Sequence, residues 1–388
     1  MAEKKKVLFI IDSLSCGGAE KSLVSLLPLL DYNRMEIDLI MFNQNGVFQQ
    51  YLPDQVHIKS LPAISGIHKL WFGICRFFFT LMLRFYSLRG IKRHGAETRW
   101  MTMKSAYPKL EDKYDAAISY QQGFPTYYLA SKVIAEKKLA WINVDILKAG
   151  YRENFNRSFY DKMDYVIPVS DILYQMLQKT GFADERKLRT VYDIINVGLI
   201  NKMSKERGFD DILPKGTWRI LTVGRMAPQK NYPLAVNTAR LLKENGLPFH
   251  WYFIGDGDDY DKVKNLIESS GLREEITLLG MKSNPYPYMA GCDIYVQTSL
   301  FEGFCLTLCE ARLLHKPEVS TNFTVVHNQL KDGENGLIAE MTPESLCNKI
   351  LALTNDPNLR KHIIENTYME VNNTAFTESA KVNSLILD

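Results

Sequence analysis

The sequence predicts an α/β protein built as two successive halves, each with a mostly parallel sheet. Three observations carry this. Continuous apolar runs such as Val7-Leu-Phe-Ile-Ile-Asp12 read as strands covered on both faces. The runs Val7–Asp12, Trp218–Val223 and Phe249–Ile254 are each followed by a Gly turn and a helix-like segment. The whole pattern starts again at Trp218. A length of 388 residues is also long for a single core.

In the first half, Ser13 to Gly18 is the turn after the first strand, and Ala19 to Leu30 has helical spacing. This strand–turn–helix opening is Rossmann-like, but it lacks G-x-G-x-x-G, so a dinucleotide reading is weak. Met35–Phe42, Tyr114–Tyr120, Leu139–Asn143 and Tyr165–Ser170 continue as strands. In the second half Trp218–Val223 is a strand, Gly224 a turn and Asn231–Lys243 a helix. Phe249–Ile254, Ile276–Leu279 and Asp293–Gln297 follow as strands. The connection near Tyr192–Gly216 mixes Asn, Gly, Lys and Pro and is the expected hinge. The expected domains are therefore 1–192 and 193–371, with a final helix over 372–388 crossing back onto the first half. Ligands of such double arrangements are expected between the halves, at the carboxyl ends of the strands.

Apolar content of 46% and charged content of 23% describe an ordinary globular chain. A net charge of +3 gives no reason to expect nucleic acid. The six cysteines are scattered (Cys16, Cys75, Cys292, Cys305, Cys309, Cys347), and Met1–Lys6 leads straight into a strand. Together these favour free thiols in a reducing, cytoplasmic setting. Cys305 and Cys309 are four apart, but a metal there would need two further ligands, and none is near in sequence.

Residues 66–110 break the alternation. They hold nine Lys/Arg against one acid, Glu97, interleaved with Trp71, Phe72, Phe77, Phe78, Phe79, Phe85 and Tyr86. No apolar stretch approaches the ~20 residues that a spanning helix needs. Two readings stay open: a helix pair packed on the sheet, and peripheral contact with an anionic membrane.

The chemistry concentrates in the second half. Gly224-Arg225 and Lys230-Asn231 lie between a strand and a helix, which suits two fixed cations holding a diphosphate. Ser299-Leu-Phe-Glu302-Gly303-Phe304-Cys305 leads from another strand into a helix that carries Glu310. Carboxylates repel phosphate but accept hydrogen bonds from vicinal hydroxyls. Two acids and two cations fit a ligand with hydroxyls at both ends and phosphates between, namely a nucleotide-sugar. A paired-carboxylate hydrolase competes, although the other half offers no obvious carboxylate partner.

Glu302-x7-Glu310 with Gly303-Phe304, preceded by Gly224-Arg225 and Lys230-Asn231, resembles the retaining family-4 glycosyltransferases of the GT-B fold. Gly17-Gly18-Ala19-Glu20 and Gly333-x-Asn335-Gly336-Leu337 are similar to that family too, and the likeness runs through most of the chain in order. The resemblance implies two Rossmann-like domains facing across a cleft. It implies a UDP-sugar or other nucleotide-sugar donor and a glycan acceptor, and the basic aromatic segment at 66–110 motivates a lipid-linked one. It implies that Glu310 holds the donor ribose and Glu302 the donor sugar, near the backbone of Gly303, Phe304 and Cys305. Arg225 and Lys230 would bind the diphosphate, Gly17, Gly18 and Gly224 would allow close backbone approach, and Met281 and Lys282 would lie near the base. Transfer would proceed with retention, the leaving diphosphate helping to deprotonate the acceptor, with no metal or cofactor. Asp256-Gly-Asp258-Asp259 then reads as a structural turn.

Two departures stand out. Relatives often carry a His where this chain reads Ala140-Trp-Ile-Asn143-Val-Asp145, and residues 95–249 contain no histidine. Asn143 and Asp145 are the candidate acceptor-side groups; Asn143 can hydrogen-bond a hydroxyl but cannot change charge. Asp193 and Asn196 stand in reverse of the usual Asn and Asp order. These leave open a weakened or inactive nucleotide-sugar-binding subunit, and a nucleotide-sugar epimerase is a third reading.

Overall fold

The computed structural model describes all residues except 1–2, 16, 45, 63–66, 92, 212 and 370–373. Cys16 and Lys92, counted above, lie outside the described residues, as does the start of the segment expected to cross back. The chain divides into two compact units, residues 1–194 with 374–388, and residues 195–373.

The first unit contains β1 (Lys5–Ile11), β2 (Met35–Met41), β3 (Val56–Ile58), β4 (Lys113–Ser119), β5 (Ile134–Ile142) and β6 (Tyr165–Pro168). Its helices are α1 (Gly18–Leu26), α2 (Ile67–Leu88), α3 (Gly95–Met103), α4 (Phe124–Lys132), α5 (Glu153–Tyr160) and α6 (Asp171–Thr180). The sheet order is β3-β2-β1-β4-β5-β6, with every pair parallel. Val7 to Ile11 are wholly buried, which explains why the central strand reads as an unbroken apolar run.

The second unit contains α7 (Val197–Met203), β7 (Trp218–Val223), α8 (Tyr232–Glu244), β8 (Phe249–Ile254), α9 (Tyr260–Ser269), β9 (Ile276–Gly280), α10 (Tyr286–Gly291) and β10 (Ile294–Gln297). It continues through α11 (Leu306–Leu313), β11 (Glu318–Thr321), β12 (Leu337–Ala339), α12 (Pro343–Asn355) and α13 (Pro357–Met369). Its sheet order is β12-β11-β10-β7-β8-β9, again all parallel. The last helix, α14 (Thr374–Leu387), belongs to the first unit. There Asn383 accepts from the Asp31 N–H at 3.1 Å and Glu378 from the Tyr192 N–H at 2.9 Å.

Strand order fixes where ligands can be held. In the second sheet the chain winds outward from β7 and returns to pair β10 on the other side, with Ile294 opposite Ile220. The loops after β7 and β10 therefore leave the carboxyl edge side by side, at the switch point of the topology.

Residues 66–110 form the pair α2 and α3. Cys75, Trp100 and Met103 enter the first unit's core, with Phe72 and Phe79 packed against it. Among the described residues no helix is long and apolar enough to cross a membrane. Cys75, Cys292, Cys305, Cys309 and Cys347 are buried, and Cys309 donates to Gln329 Oε1 at 2.9 Å.

Candidate functional site

The loop after β7 is shaped by glycines and by one left-handed residue. A Cβ on Gly255 would come within 1.9 Å of the Gly224 carbonyl oxygen, so both backbones can meet only without it. Asn231 adopts φ 50°, a conformation Asn tolerates, and turns the chain into α8. Arg225 stands exposed on this loop and has no ion pair among the described residues. Lys230 points instead at the loop after β10, where its Nζ reaches Glu302 Oε1 at 2.5 Å.

That contact belongs to a stitched network. Ser299 Oγ donates to Glu302 Oε1 at 2.6 Å and Gln229 Nε2 to Glu302 Oε2 at 3.2 Å. Gln297 Nε2 lies 3.5 Å from Glu302 Oε1 and donates to Ser299 Oγ at 2.7 Å. Backbone bonds fasten the two loops: the Leu300 N–H donates to the Gln229 carbonyl at 2.8 Å, and Thr298 Oγ1 to the Lys230 carbonyl at 2.7 Å. The Lys230 and Glu302 side chains are 17% and 9% exposed, so the pair is nearly dry. Burial opposes the Lys230 charge, yet the adjacent Glu302 outweighs it and holds the ammonium pKa above its ordinary value.

Helix α11 begins directly after this loop. Gly303 and Phe304 lead to Cys305, which occupies the N-cap at φ 69°. Burial, reinforced by Glu302, pushes the Cys305 thiol far up, so it stays protonated at neutral pH. One turn into the helix Glu310 is buried and accepts from the Tyr286 hydroxyl at 2.9 Å. Gln329 braces the turn from below by donating to the Phe304 carbonyl, and its Oε1 accepts from Arg312 at 3.2 Å. Asn335 secures that brace by donating to the Gln329 carbonyl at 3.0 Å.

Arg225 and Lys230 thus share one loop beside Glu302, with Gly303, Phe304, Cys305 and Glu310 following in sequence. Met281 is exposed, and Lys282 lies over the Tyr288 ring at 5.7 Å. Among the described residues neither joins the hydrogen bonds of that network. In Asp256-Gly-Asp258-Asp259, Asp256 accepts from the Gly257 N–H at 2.8 Å and Asp259 from Lys262 at 2.7 Å. The sequence reading missed Gln229, Gln297, Ser299, Gln329 and Tyr286. Single polar residues in strands and turns carry no sequence signal; only the pairing of β7 with β10 gives them a target.

In the first unit, Gly17 is the N-cap of α1, and a Cβ there would overlap the Glu20 carboxylate at 1.9 Å. Asn143 donates through Nδ2 to the Tyr120 carbonyl at 2.9 Å, and its Oδ1 is buried without a hydrogen-bond partner. Asp145 accepts from the Lys148 N–H at 3.0 Å and closes its own turn. Among the described residues one group has metal-ligand spacing, Glu36, Asp38 and His57. Lys59 lies 3.7 Å from Asp38, and the Tyr114 hydroxyl donates to it at 2.8 Å, so that carboxylate is already engaged.

Residues 204–370 match the family described as "Glycosyl transferases group 1". The fold and this match define a glycosyltransferase of the GT-B fold class. The matched stretch lies in the chain's second unit. Over 369 residues it is 27% identical to N-acetylgalactosamine-N,N'-diacetylbacillosaminyl-diphospho-undecaprenol 4-alpha-N-acetylgalactosaminyltransferase of Campylobacter jejuni, covering 92% of each chain. Over 222 residues it is 25% identical to poly(ribitol-phosphate) alpha-N-acetylglucosaminyltransferase of Staphylococcus aureus, covering 54% of this chain and 43% of that one. The fold is shared with Anabaena HepE in complex with UDP and glucose, at TM-score 0.69, 17% identity and 98% coverage of both chains.

Proposed function

We propose that this chain moves a sugar, with retention, from a nucleotide-sugar to a glycan carried on a lipid diphosphate. A UDP-sugar is the favoured donor. The observation that carries the reading is the loop pair at the β7–β10 switch point. It sets an exposed Arg225 and an anchored Lys230 beside the buried Glu302, with the buried Glu310 in the helix α11 that follows.

Each group then has a task. Arg225 offers a planar fork to the diphosphate and Lys230 a compact charge. One proton of the Lys230 ammonium is held by Glu302, which leaves two for phosphate oxygens. Glu302 accepts from hydroxyls of the donor sugar and Glu310 from the ribose, while Tyr286 and Ser299 fix the two carboxylates. As the bond from the anomeric carbon to the diphosphate oxygen breaks, negative charge grows on that oxygen, where the cations oppose it. The acceptor oxygen bonds to the anomeric carbon on the face that the diphosphate leaves. Its proton passes to the departing diphosphate, so no enzyme nucleophile is required. Support for the acceptor comes from the Campylobacter relative, whose name specifies a diphospho-undecaprenol glycan. Support for retention comes from the alpha linkages in the relatives' names, and support for UDP from the HepE complex.

The test is release of nucleoside diphosphate by the full chain, across a panel of nucleotide-sugars, with and without a diphospho-polyprenol glycan. The reading predicts acceptor-dependent release with one UDP-sugar and loss of that release in Arg225→Ala. Epimerised donor in the absence of acceptor, or binding without turnover by any donor, would overturn it.

A further inference from the structure

Helix α2 presents three rows along its 22 residues, about 33 Å of axis. Phe72, Cys75, Phe79, Met82 and Tyr86 recur at helical spacing on the inner row, and Cys75 is fully seated in the core. A second row, Leu70, Phe77, Phe78, Leu81, Phe85 and Leu88, has the same spacing but faces outward. Its members run from 48% exposed at Phe85 to 88% at Leu88. A third row alongside it carries Lys69, Arg76 and Arg84, all exposed. The helix is therefore apolar on two faces, and the first unit covers only one of them. Soluble monomers rarely leave so long a contiguous apolar row in water.

The charge pattern indicates what covers the second face. Residues 67–96 contain no Asp or Glu at all. A second copy laid against this row would bring arginines against arginines with no acid to pair them. An anionic lipid surface meets both features at once, since acyl chains take the Phe and Leu row and headgroups take the cations. The basic side chains are already arranged for such an interface. Arg89 lies over the Phe85 ring at 5.2 Å and Arg93 over the Tyr86 ring at 4.7 Å, so their charged ends lie against aromatic faces. Trp71 is half-exposed and donates its indole N–H to Ser105 Oγ at 3.1 Å, which keeps the ring in place at the edge of the row.

We infer that α2 is a membrane-docking helix, lying flat on an anionic bilayer with the Leu70–Leu88 row in the acyl boundary and Arg76 and Arg84 among the headgroups. This deepens the lipid-linked acceptor reading without depending on the donor site.

Flotation of the full chain with lipid vesicles tests it. One set is phosphatidylcholine alone and the other contains phosphatidylglycerol as the anionic component. The parent is expected to float with the anionic vesicles, and less so as salt rises. Phe77→Ser with Leu81→Ser should lower partitioning by at least about tenfold, and Arg76→Gln with Arg84→Gln by about tenfold. All four side chains are exposed, so both variants should keep the parent's melting temperature and its shift with UDP. Failure of the parent to float, or equal flotation by both variants, overturns the inference. So does sedimentation of the parent as a dimer that the Phe77/Leu81 variant dissociates, since the row would then pair with a second copy. Flotation without any sugar transfer would leave this inference standing and remove the transfer reading.

Discussion

Replacing Lys230 with alanine removes one half of a nearly dry ion pair. Glu302 would keep Ser299 at 2.6 Å and Gln229 at 3.2 Å but lose its counter-charge. Losing one partner of a fully buried pair costs ~3–5 kcal/mol; with the Lys230 side chain 17% exposed, ~2–3 kcal/mol is the appropriate scale. Because the Lys230 pKa is raised in the fold, the pair contributes fully below the unfolded-state value near 10.5. That contribution is lost only as pH climbs through the higher folded value. The loss should therefore be constant from neutral pH to about pH 10. Turnover should fall by about 10²-fold or more, on the order of 3 kcal/mol of transition-state stabilisation. A paired variant, Lys230→Met with Glu302→Gln, separates the two effects. It should recover most of the stability, because an uncharged pair leaves no buried carboxylate alone, while activity stays low. Urea unfolding and turnover on the same preparations give both readings. Near-parental turnover in Lys230→Ala, or restored turnover in the paired variant, would refute the assignment of Lys230 to the diphosphate.

Three further outcomes are expected. Tyr286→Phe leaves Glu310 without its hydroxyl donor, so donor KM should rise by about tenfold while kcat changes less; steady-state kinetics in donor reads the split. Asp193 is buried, with Oδ1 unpartnered, and burial raises its carboxyl to about 7 against a Ser22 hydrogen bond that lowers it. A raised acid stabilises the fold below its unfolded pKa and loses that contribution as pH rises toward 7. Asp193→Asn should therefore raise the melting temperature more at pH 8 than at pH 5, by the equivalent of ~2 kcal/mol. Cys305 holds a left-handed backbone at the cap of α11, so Cys305→Gly should stay within ~1 kcal/mol of the parent while Cys305→Val loses ~2 kcal/mol, as read by urea unfolding.

Much of the fold was legible because parallel strands buried on both faces must be apolar throughout. Val7–Ile11 and Ile294–Val296 show this directly. The short strands were not legible, for a physical reason. β11 reads Glu318-Val-Ser-Thr321 and is buried although three of its four residues are polar. Thr321 Oγ1 donates to the Ser299 carbonyl at 2.7 Å, a tertiary partner that no local pattern announces. β3 is three residues long with two of them exposed, too little for a period of two to register. In the candidate site, Arg225, Lys230 and Glu302 could be read as candidates because charged residues beside glycine turns are conspicuous, and Glu310 by its spacing from Glu302. Gln229, Gln297 and Gln329 could not, since their value lies in bridging loops that are distant in sequence. On α2 the two apolar rows have similar composition, and only burial shows which one the protein keeps for itself.

The anomeric configuration of the product tests the central claim most directly. The full chain, a UDP-sugar and a diphospho-polyprenol glycan should yield an α-linked product from an α-linked donor, read as a small three-bond coupling between the new anomeric proton and the proton on the adjacent ring carbon by NMR. A β-linked product from the same donor would contradict retention, and with it the roles given to Arg225, Lys230 and Glu302.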